Sequence, residues 1–355
     1  MKILHTYCLN YNIGDYYLGI GVKNLLRQHL NVDLISETNL QGTIFNEYFI
    51  KNVLNKKYDL LVIGGGGIIH GAHWPNGWFW LIKEELIKQI DIPFIVYGVG
   101  NNYFKDEGGI PSIGRAHLKS TIESASYFSV RNDGSSERFE EQMGFSVPSI
   151  PDPGFHINLN KNYQCNESEP FILIQLANDK PEHRFGAEET RQKFIGNMRV
   201  VVKTLAKKYK VIFTPHVYED ISIGHEISNG ISNTMTWDFA KYAFDNCAES
   251  LGFYQNAEFV LAMRGHGQII PIAFNTPVIS LENHPKHSGL MNKLGLGEYN
   301  IPINKIDYSM SLLELIEKLL VNKEEYLDKL IEINKVLLTE SNKAFNEIRL
   351  SLAKR

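Results

Sequence analysis

Phe259-Val-Leu-Ala-Met-Arg-Gly-His-Gly-Gln-Ile-Ile-Pro-Ile-Ala-Phe-Asn-Thr-Pro-Val-Ile-Ser-Leu281 decides the fold. A short apolar run, Phe259–Ala262, meets a glycine-punctuated turn. A helix-length apolar stretch, Gly265–Phe274, follows, and then a second apolar run, Val278–Leu281. Two strands joined through a helix are parallel neighbours, because a tight turn joins only antiparallel ones. The same rhythm runs outward in both directions. Towards the C-terminal half it reads strands at Phe171–Gln175 and Val211–Thr214, a helix over Glu188–Lys208, and a charged helical tail over Leu312–Arg355. In the N-terminal half it reads strands at Lys2–Thr6, Leu60–Ile63, Phe94–Tyr97 and Tyr127–Val130. Helices are expected at Tyr16–Leu30, Trp78–Ile90, Pro111–Ser124 and Ser135–Met143, the last with Asp133 as N-cap.

The rhythm stops at Pro151-Asp-Pro-Gly154, and Asn158–Pro170 is polar without a period. A chain of 355 residues exceeds one ordinary core. The pattern therefore predicts an α/β protein of two Rossmann-like domains, residues 1–157 and 158–330. A C-terminal helix is expected over 331–355, with its packing back on the first domain left open. Such halves hold ligands at the carboxyl ends of their strands, in a cleft.

Composition narrows the function. With 43% hydrophobic and 21% charged residues the chain is globular, and a net charge of -4 argues against a nucleic-acid partner. An anionic ligand must then be held by local cations. Cys8, Cys165 and Cys247 form no CxxC and no disulfide framework, which fits a reducing cytoplasm. The opening Met1-Lys-Ile-Leu-His is strand-like, and the best apolar run, Leu60–Ile69, is broken by four glycines. A cytoplasmic protein is expected, with contact at the inner face of a membrane left open. Oligomeric state is not legible.

Arg264 and His266 fall where a strand ends and a helix begins, a natural site for phosphate or carboxylate. The plain alternative is an arginine paired with a structural carboxylate. Lys286, in the loop after the next strand, is expected to join them as a third cation. Arg131, after the Tyr127–Val130 strand, either faces the cleft or anchors the nearby Asp152 loop. Gly65 and Gly66 in the run Gly64–Gly67 permit close backbone approach to a ligand. Asn12 and Asp15 bond ligand hydroxyls or cap the first helix, and His216 with Asp220 binds sugar hydroxyls or forms a loop pair. Trp74 is the aromatic expected to stack on a sugar. His70 and His73 lack a carboxylate or cysteine partner, so no metal is expected.

In order along the chain, Asn12-Ile-Gly-Asp15, Gly64–Gly67, Gly98-Val-Gly100, Val130-Arg-Asn-Asp133, Asp152-Pro-Gly-Phe155, Pro215-His-Val-Tyr-Glu-Asp220, Arg264-Gly-His266 and Pro277–Leu290 resemble the polysaccharide pyruvyltransferase family. Asn132 departs from the family's adjacent Arg-Asp pair, and Gly265 from its bulkier residue. The resemblance implies two Rossmann-like domains facing each other, as in the glycosyltransferase B fold. It implies phosphoenolpyruvate as donor and a sugar, in a surface polysaccharide such as a capsule or exopolysaccharide or in its lipid-linked precursor, as acceptor. The family's functional residues carry over onto Arg131, His266 and Lys286, with Arg264 beside them. A pyruvate ketal is then the expected product, with His266 as proton donor, Lys286 and Arg264 on the phosphate, and no cofactor. The rival readings are a nucleotide-sugar glycosyltransferase of the same fold and a non-catalytic sugar-binding member of a polysaccharide assembly system.

Overall fold

The computed structural model describes residues 1–9, 12–71, 74–101, 109–159, 162–242 and 247–354. For Ala240, Cys247, Ala248, Pro285 and Lys286 it describes the backbone alone. The chain divides into two compact units, 1–11 with 18–159 and 336–355, and 12–17 with 160–335. The sequence pattern gave no sign that residues 12–17 group with the second unit.

The N-terminal unit is built on a parallel sheet of β1 (Lys2–Tyr7), β2 (Leu34–Asn39), β3 (Leu60–Ile63), β4 (Gly66–Ile69), β5 (Phe94–Asn101), β6 (Tyr127–Arg131) and β7 (Ser149–Ile150). Their order is β2-β1-β3-β5-β6-β7, with β4 also on β5. β3 and β5 are buried at every position, as strands covered on both faces require. One face packs Leu61, Ile63, Phe94 and Val96 with Trp78 and Trp80. The other packs Ile3, Leu18, Val22, Val62 and Ile95 with Phe345 and Ile348, from the C-terminal part of helix Lys323–Leu352. Burying a side chain such as Phe345 contributes about 1.5–3 kcal/mol.

The C-terminal unit carries β8 (Phe171–Gln175), β9 (Lys210–Phe213), β10 (Thr234–Thr236), β11 (Val260–Ala262), β12 (Val278–Glu282) and β13 (Asn300–Pro302). Their order is β10-β9-β8-β11-β12-β13, all parallel. This is the doubly wound Rossmann arrangement. The helix Gly265–Ala273 connects β11 to β12, and its residues 267–273 are all buried. A helix sandwiched on all sides tolerates the uniformly apolar sequence that surface helices lack.

One expected element is corrected. The helix Trp78–Ile90 reduces to Glu84–Ile87. Trp78 instead bridges back to Ile69, and the Asn76 amide donates to the Trp80 carbonyl at 2.7 Å. The indoles of Trp78 and Trp80 are fully buried, so the aromatic run is core filling without helical period. The helical tail is present but broken at Asn322, into Tyr308–Val321 and Lys323–Leu352. No described helix is long and apolar enough to cross a membrane.

Candidate functional site

In the C-terminal sheet the winding reverses between β8 and β11, so the loops that leave these strands diverge and open a crevice beyond their carboxyl ends. Asp220 organises the loops there. Its Oδ1 accepts from the backbone N–H of Asn178, after β8, at 2.9 Å, and from Arg264 Nη2, after β11, at 2.6 Å. Its Oδ2 accepts from the N–H groups of His216 and Val217, after β9, at 3.1 and 3.2 Å, and from Arg264 Nε at 2.8 Å. One buried carboxylate thereby ties three loops together.

Arg264 is buried and its Nη2 also donates to Asp179, which in turn holds Arg184 at 2.7 Å. Burial works against the Arg264 charge, but Asp220 and Asp179 outweigh it and raise its pKa. Burial likewise opposes ionisation of Asp179, and Arg264 with Arg184 nevertheless holds its carboxyl below the ordinary range. Two guanidiniums face two carboxylates, so the cluster is close to neutral. The open cation expected at position 264 is corrected on this point: its charge is already met inside the protein.

Helix Gly265–Ala273 starts directly after this cluster, and Arg264, its N-cap residue, gives no side-chain cap. The Arg264 N–H is instead held by Gln175 Oε1 at 2.8 Å. A Cβ on Gly267 would stand 2.7 Å from the same oxygen, whereas one on Gly265 meets nothing within 4 Å. The helix therefore starts without a side-chain cap from Arg264 and with open space at Gly265, and His266 follows as its second residue. This is the geometry that favours an anion.

His216 is fully buried. Its Nε2 pairs with the Tyr254 hydroxyl at 2.7 Å, and its Nδ1 has no partner. Burial, then Arg264 and His266, push its pKa well below the ordinary imidazole value, so it is neutral. Residues 12–17 lie against it. The Ile13 N–H donates to the His216 carbonyl at 2.9 Å, and the Tyr17 ring meets those of His216 and Tyr254 edge-on. Asn12 is a cap: its Oδ1 accepts the Gly14 N–H at 2.8 Å. Asp15 sits in the first turn, its N–H on the Asn12 carbonyl at 3.0 Å. Asn12, Asp15, His216, Arg264 and His266 are thus brought into one unit. The Lys286 backbone opens helix Pro285–Lys293 after β12, and its side chain lies outside the described residues, as do His73 and the Cys247 side chain.

Beside this cluster, a pocket of about 330 Å³ is lined by Arg184, Phe185, Glu282, Asn283 and His284, with Asn304 from the segment after β13. The Glu282 carboxylate inside it is fixed by Ser288 and Asn300, each at 2.6 Å. Among the described residues no cluster of histidine, cysteine and carboxylate groups fits a metal ion.

The N-terminal unit holds the other expected residues, and in different roles. Arg131 is 7% exposed, with Nη1 on Asp152 at 2.7 Å and Nη2 on Asp133 at 2.9 Å. Of the two readings of Arg131, the anchored one is what this geometry displays. Asn132 does not prevent the Arg-Asp pairing, because it forms one residue further on. Gly65 is corrected from a ligand floor to a packing position, since a Cβ there would meet Leu18 Cδ2 at 2.9 Å and the Gly98 carbonyl at 3.1 Å. Gly66 opens β4 with φ +98, a backbone that favours glycine. Trp74 is half-buried and packs edge-on to Phe79 at 4.6 Å. Sequence reasoning missed Asp179, Gln175, Tyr17, Ser250 and Tyr254, and also Tyr218, which is 74% exposed in the loop that carries His216.

The sequence profile of the polysaccharide pyruvyl transferase family matches residues 12–285, from the cap of the first helix to the start of the helix that bears Lys286. The chain belongs to this family. Its members are transferases of polysaccharide biosynthesis, and solved structures similar to this one share the fold. S. aureus MnaA, solved with UDP, aligns at 12% identity and TM-score 0.54, over 93% of this chain and 90% of that one. The UDP-GlcNAc 2-epimerase of Neisseria meningitidis, bound to UDP-GlcNAc, aligns at 12% identity and TM-score 0.51, over 97% and 100%. WaaG, a glycosyltransferase of lipopolysaccharide biosynthesis, aligns at 10% identity and TM-score 0.50, over 98% and 99%. These likenesses establish a glycosyltransferase B-like fold for this pyruvyl transferase family member. A comparison with curated proteins returns no match.

Proposed function

We propose that this family member transfers the pyruvyl group of phosphoenolpyruvate to a sugar of a surface polysaccharide, or of its lipid-linked precursor, as a cyclic ketal. The observation that carries the reading is His266 as the second residue of helix Gly265–Ala273, which starts without a side-chain cap from Arg264 and with open space at Gly265, at the crossover of the C-terminal sheet in a pyruvyl transferase chain. In this reading the helix start receives the donor's phosphate or carboxylate, and Lys286 adds charge. Arg264 acts through Asp220 and Asp179, fixing the loops. The pocket beside Arg184 takes the sugar or the rest of the donor, and the exposed Tyr218 offers a ring face to a pyranose.

The chemistry balances without a cofactor. The His266 imidazolium gives its proton to the methylene carbon of phosphoenolpyruvate as one sugar hydroxyl oxygen bonds to the central carbon. A second hydroxyl oxygen bonds there as the carbon–oxygen bond to phosphate breaks. One hydroxyl proton returns to His266 and the other leaves with the phosphate. The products are a methyl-bearing ketal and inorganic phosphate. The setting is taken as cytoplasmic, with the acceptor reached at the membrane's inner face when it is lipid-linked.

The test is incubation with phosphoenolpyruvate and galactose-, mannose- and glucuronic-type acceptors, read by mass spectrometry and phosphate release. Pyruvylated sugar from the native protein, and a loss of about 10²–10⁴-fold in kcat for a folded His266→Ala variant, are expected. Full turnover by His266→Ala would remove the proton-donor assignment. The nucleotide-sugar glycosyltransferase reading draws on fold likeness to UDP-bound enzymes. Stabilisation by UDP- or GDP-sugars and none by phosphoenolpyruvate would favour it instead. Stabilisation by oligosaccharide alone would favour a sugar-binding protein.

A further inference from the structure

We infer that Gly14 is a positioning residue for His266: the first turn of helix Ile13–His29 closes on the imidazole and sets where it delivers its proton, and it does so because position 14 has no side chain. The inference rests on the reading of His266 as proton donor and adds a residue to that machinery.

A Cβ on Gly14 would stand 2.5 Å from His266 Nδ1, 2.8 Å from its Cβ and 2.9 Å from its Cγ. No side chain fits there without displacement. The backbone gives no other reason for glycine, since Gly14 is helical and is not among the residues with positive φ. Glycine weakens a helix that alanine would strengthen. What glycine supplies at this position is space, and the space is filled by the imidazole.

The turn itself has little freedom to retreat. Asn12 Oδ1 caps the Gly14 N–H at 2.8 Å, and the Ile13 N–H is bound to the His216 carbonyl at 2.9 Å. The Tyr17 hydroxyl is on Ser250 Oγ at 2.5 Å, and its ring lies edge-on to His216 and Tyr254. His216 is anchored in turn by Asp220 and Tyr254. These anchors hold the glycine face of the turn in place. A methyl group at position 14 would therefore press directly on the imidazole. This also gives residues 12–17 a use that hydroxyl binding by Asn12 does not: they form one wall of the histidine site.

The test is Gly14→Ala alone and in a His266→Ala background, assayed for pyruvyl transfer. A displacement of about 1 Å at a reacting group costs roughly 10²-fold. Gly14→Ala is expected to lower kcat by about 30- to 100-fold, with KM for donor and acceptor within about twofold. In the His266→Ala background the same change is expected to cost less than about twofold, because its effect passes through the imidazole. A folded Gly14→Ala variant with native kcat, or losses that multiply in the double variant, would overturn the inference. Full turnover by His266→Ala would instead sink the underlying reading of the site, so the two failures are distinct. If Gly14→Ala does not fold, Tyr17→Phe loosens the same turn by freeing it from Ser250. A fall in kcat of roughly three- to tenfold that vanishes in the His266→Ala background is expected, and an unchanged kcat overturns the inference.

Discussion

Arg131 lies between two carboxylates, Asp152 and Asp133, and the difference between holding a loop and holding a substrate shows in what its removal leaves behind. Burial opposes ionisation of Asp133, while Arg131, Ser135 and Arg138 hold its carboxyl below the ordinary range. Without Arg131 the buried carboxylate of Asp152 and the half-buried one of Asp133 lose their main counter-charge. Arg131→Leu is accordingly expected to destabilise the fold by about 3–5 kcal/mol in urea denaturation. A loss under about 1 kcal/mol together with abolished transfer would instead make Arg131 a substrate ligand. Asp220 is the counterpart in the C-terminal unit. Its position four residues after His216 was legible, but its partners were not: Asn178 and Arg264 reach it only because β8 separates β9 from β11 in the sheet. No spacing along the chain encodes that adjacency.

The helix Gly265–Ala273 holds two glycines with opposite surroundings. Gly267→Ala drives a methyl group towards Gln175 Oε1 and is expected to cost about 1–3 kcal/mol, because Gln175 is itself fixed by Leu176 and the Arg264 N–H. Gly265→Ala meets open space and adds a better helix former, so stability is expected to hold or rise by up to about 1 kcal/mol. Chemical denaturation of both variants checks the pair, and equal effects would show that the first turn is not packed as described. This element was the most legible in the sequence, since apolar runs around a glycine turn admit few other readings. β3 and β8 were equally plain, being short apolar runs buried throughout. Less was legible where burial is partial or periods conflict. β2, Leu-Ile-Ser-Glu-Thr-Asn over Leu34–Asn39, is half-exposed and carries no apolar run that would mark it as a strand. The Trp78–Trp80 stretch carries enough apolar mass for a helix but spends it in the core from an irregular segment.

At the scale of the whole molecule, buried neutral histidines impose a pH dependence. Burial lowers the pKa of His5 in β1 to about 4, against a bond to the Gly64 carbonyl that raises it. Burial also lowers His156 to about 4, with Asp152 opposing, and His216 falls well below its ordinary value in the other unit. Between the ordinary value of 6.5 and about 4 the unfolded chain binds protons that the folded one refuses. Stability therefore rises with pH across that window, is fully present above it, and is lost as pH falls through it. Urea denaturation at intervals from pH 7.5 to 4.5 checks this, and a His5→Asn variant is expected to flatten the slope. A profile unchanged over that range would mean that these imidazoles titrate as they do in water.

The ketal chemistry turns an alkene carbon into a methyl group, using a proton supplied by the protein. Running the reaction with phosphoenolpyruvate and acceptor in D2O, and reading the product methyl group by mass spectrometry and NMR, tests that step directly. The account predicts one solvent deuterium in the methyl group of each ketal, with rate of formation collapsing in His266→Ala. A product that retains its methylene double bond, or sugar transfer from a nucleotide donor with phosphoenolpyruvate untouched, would contradict it.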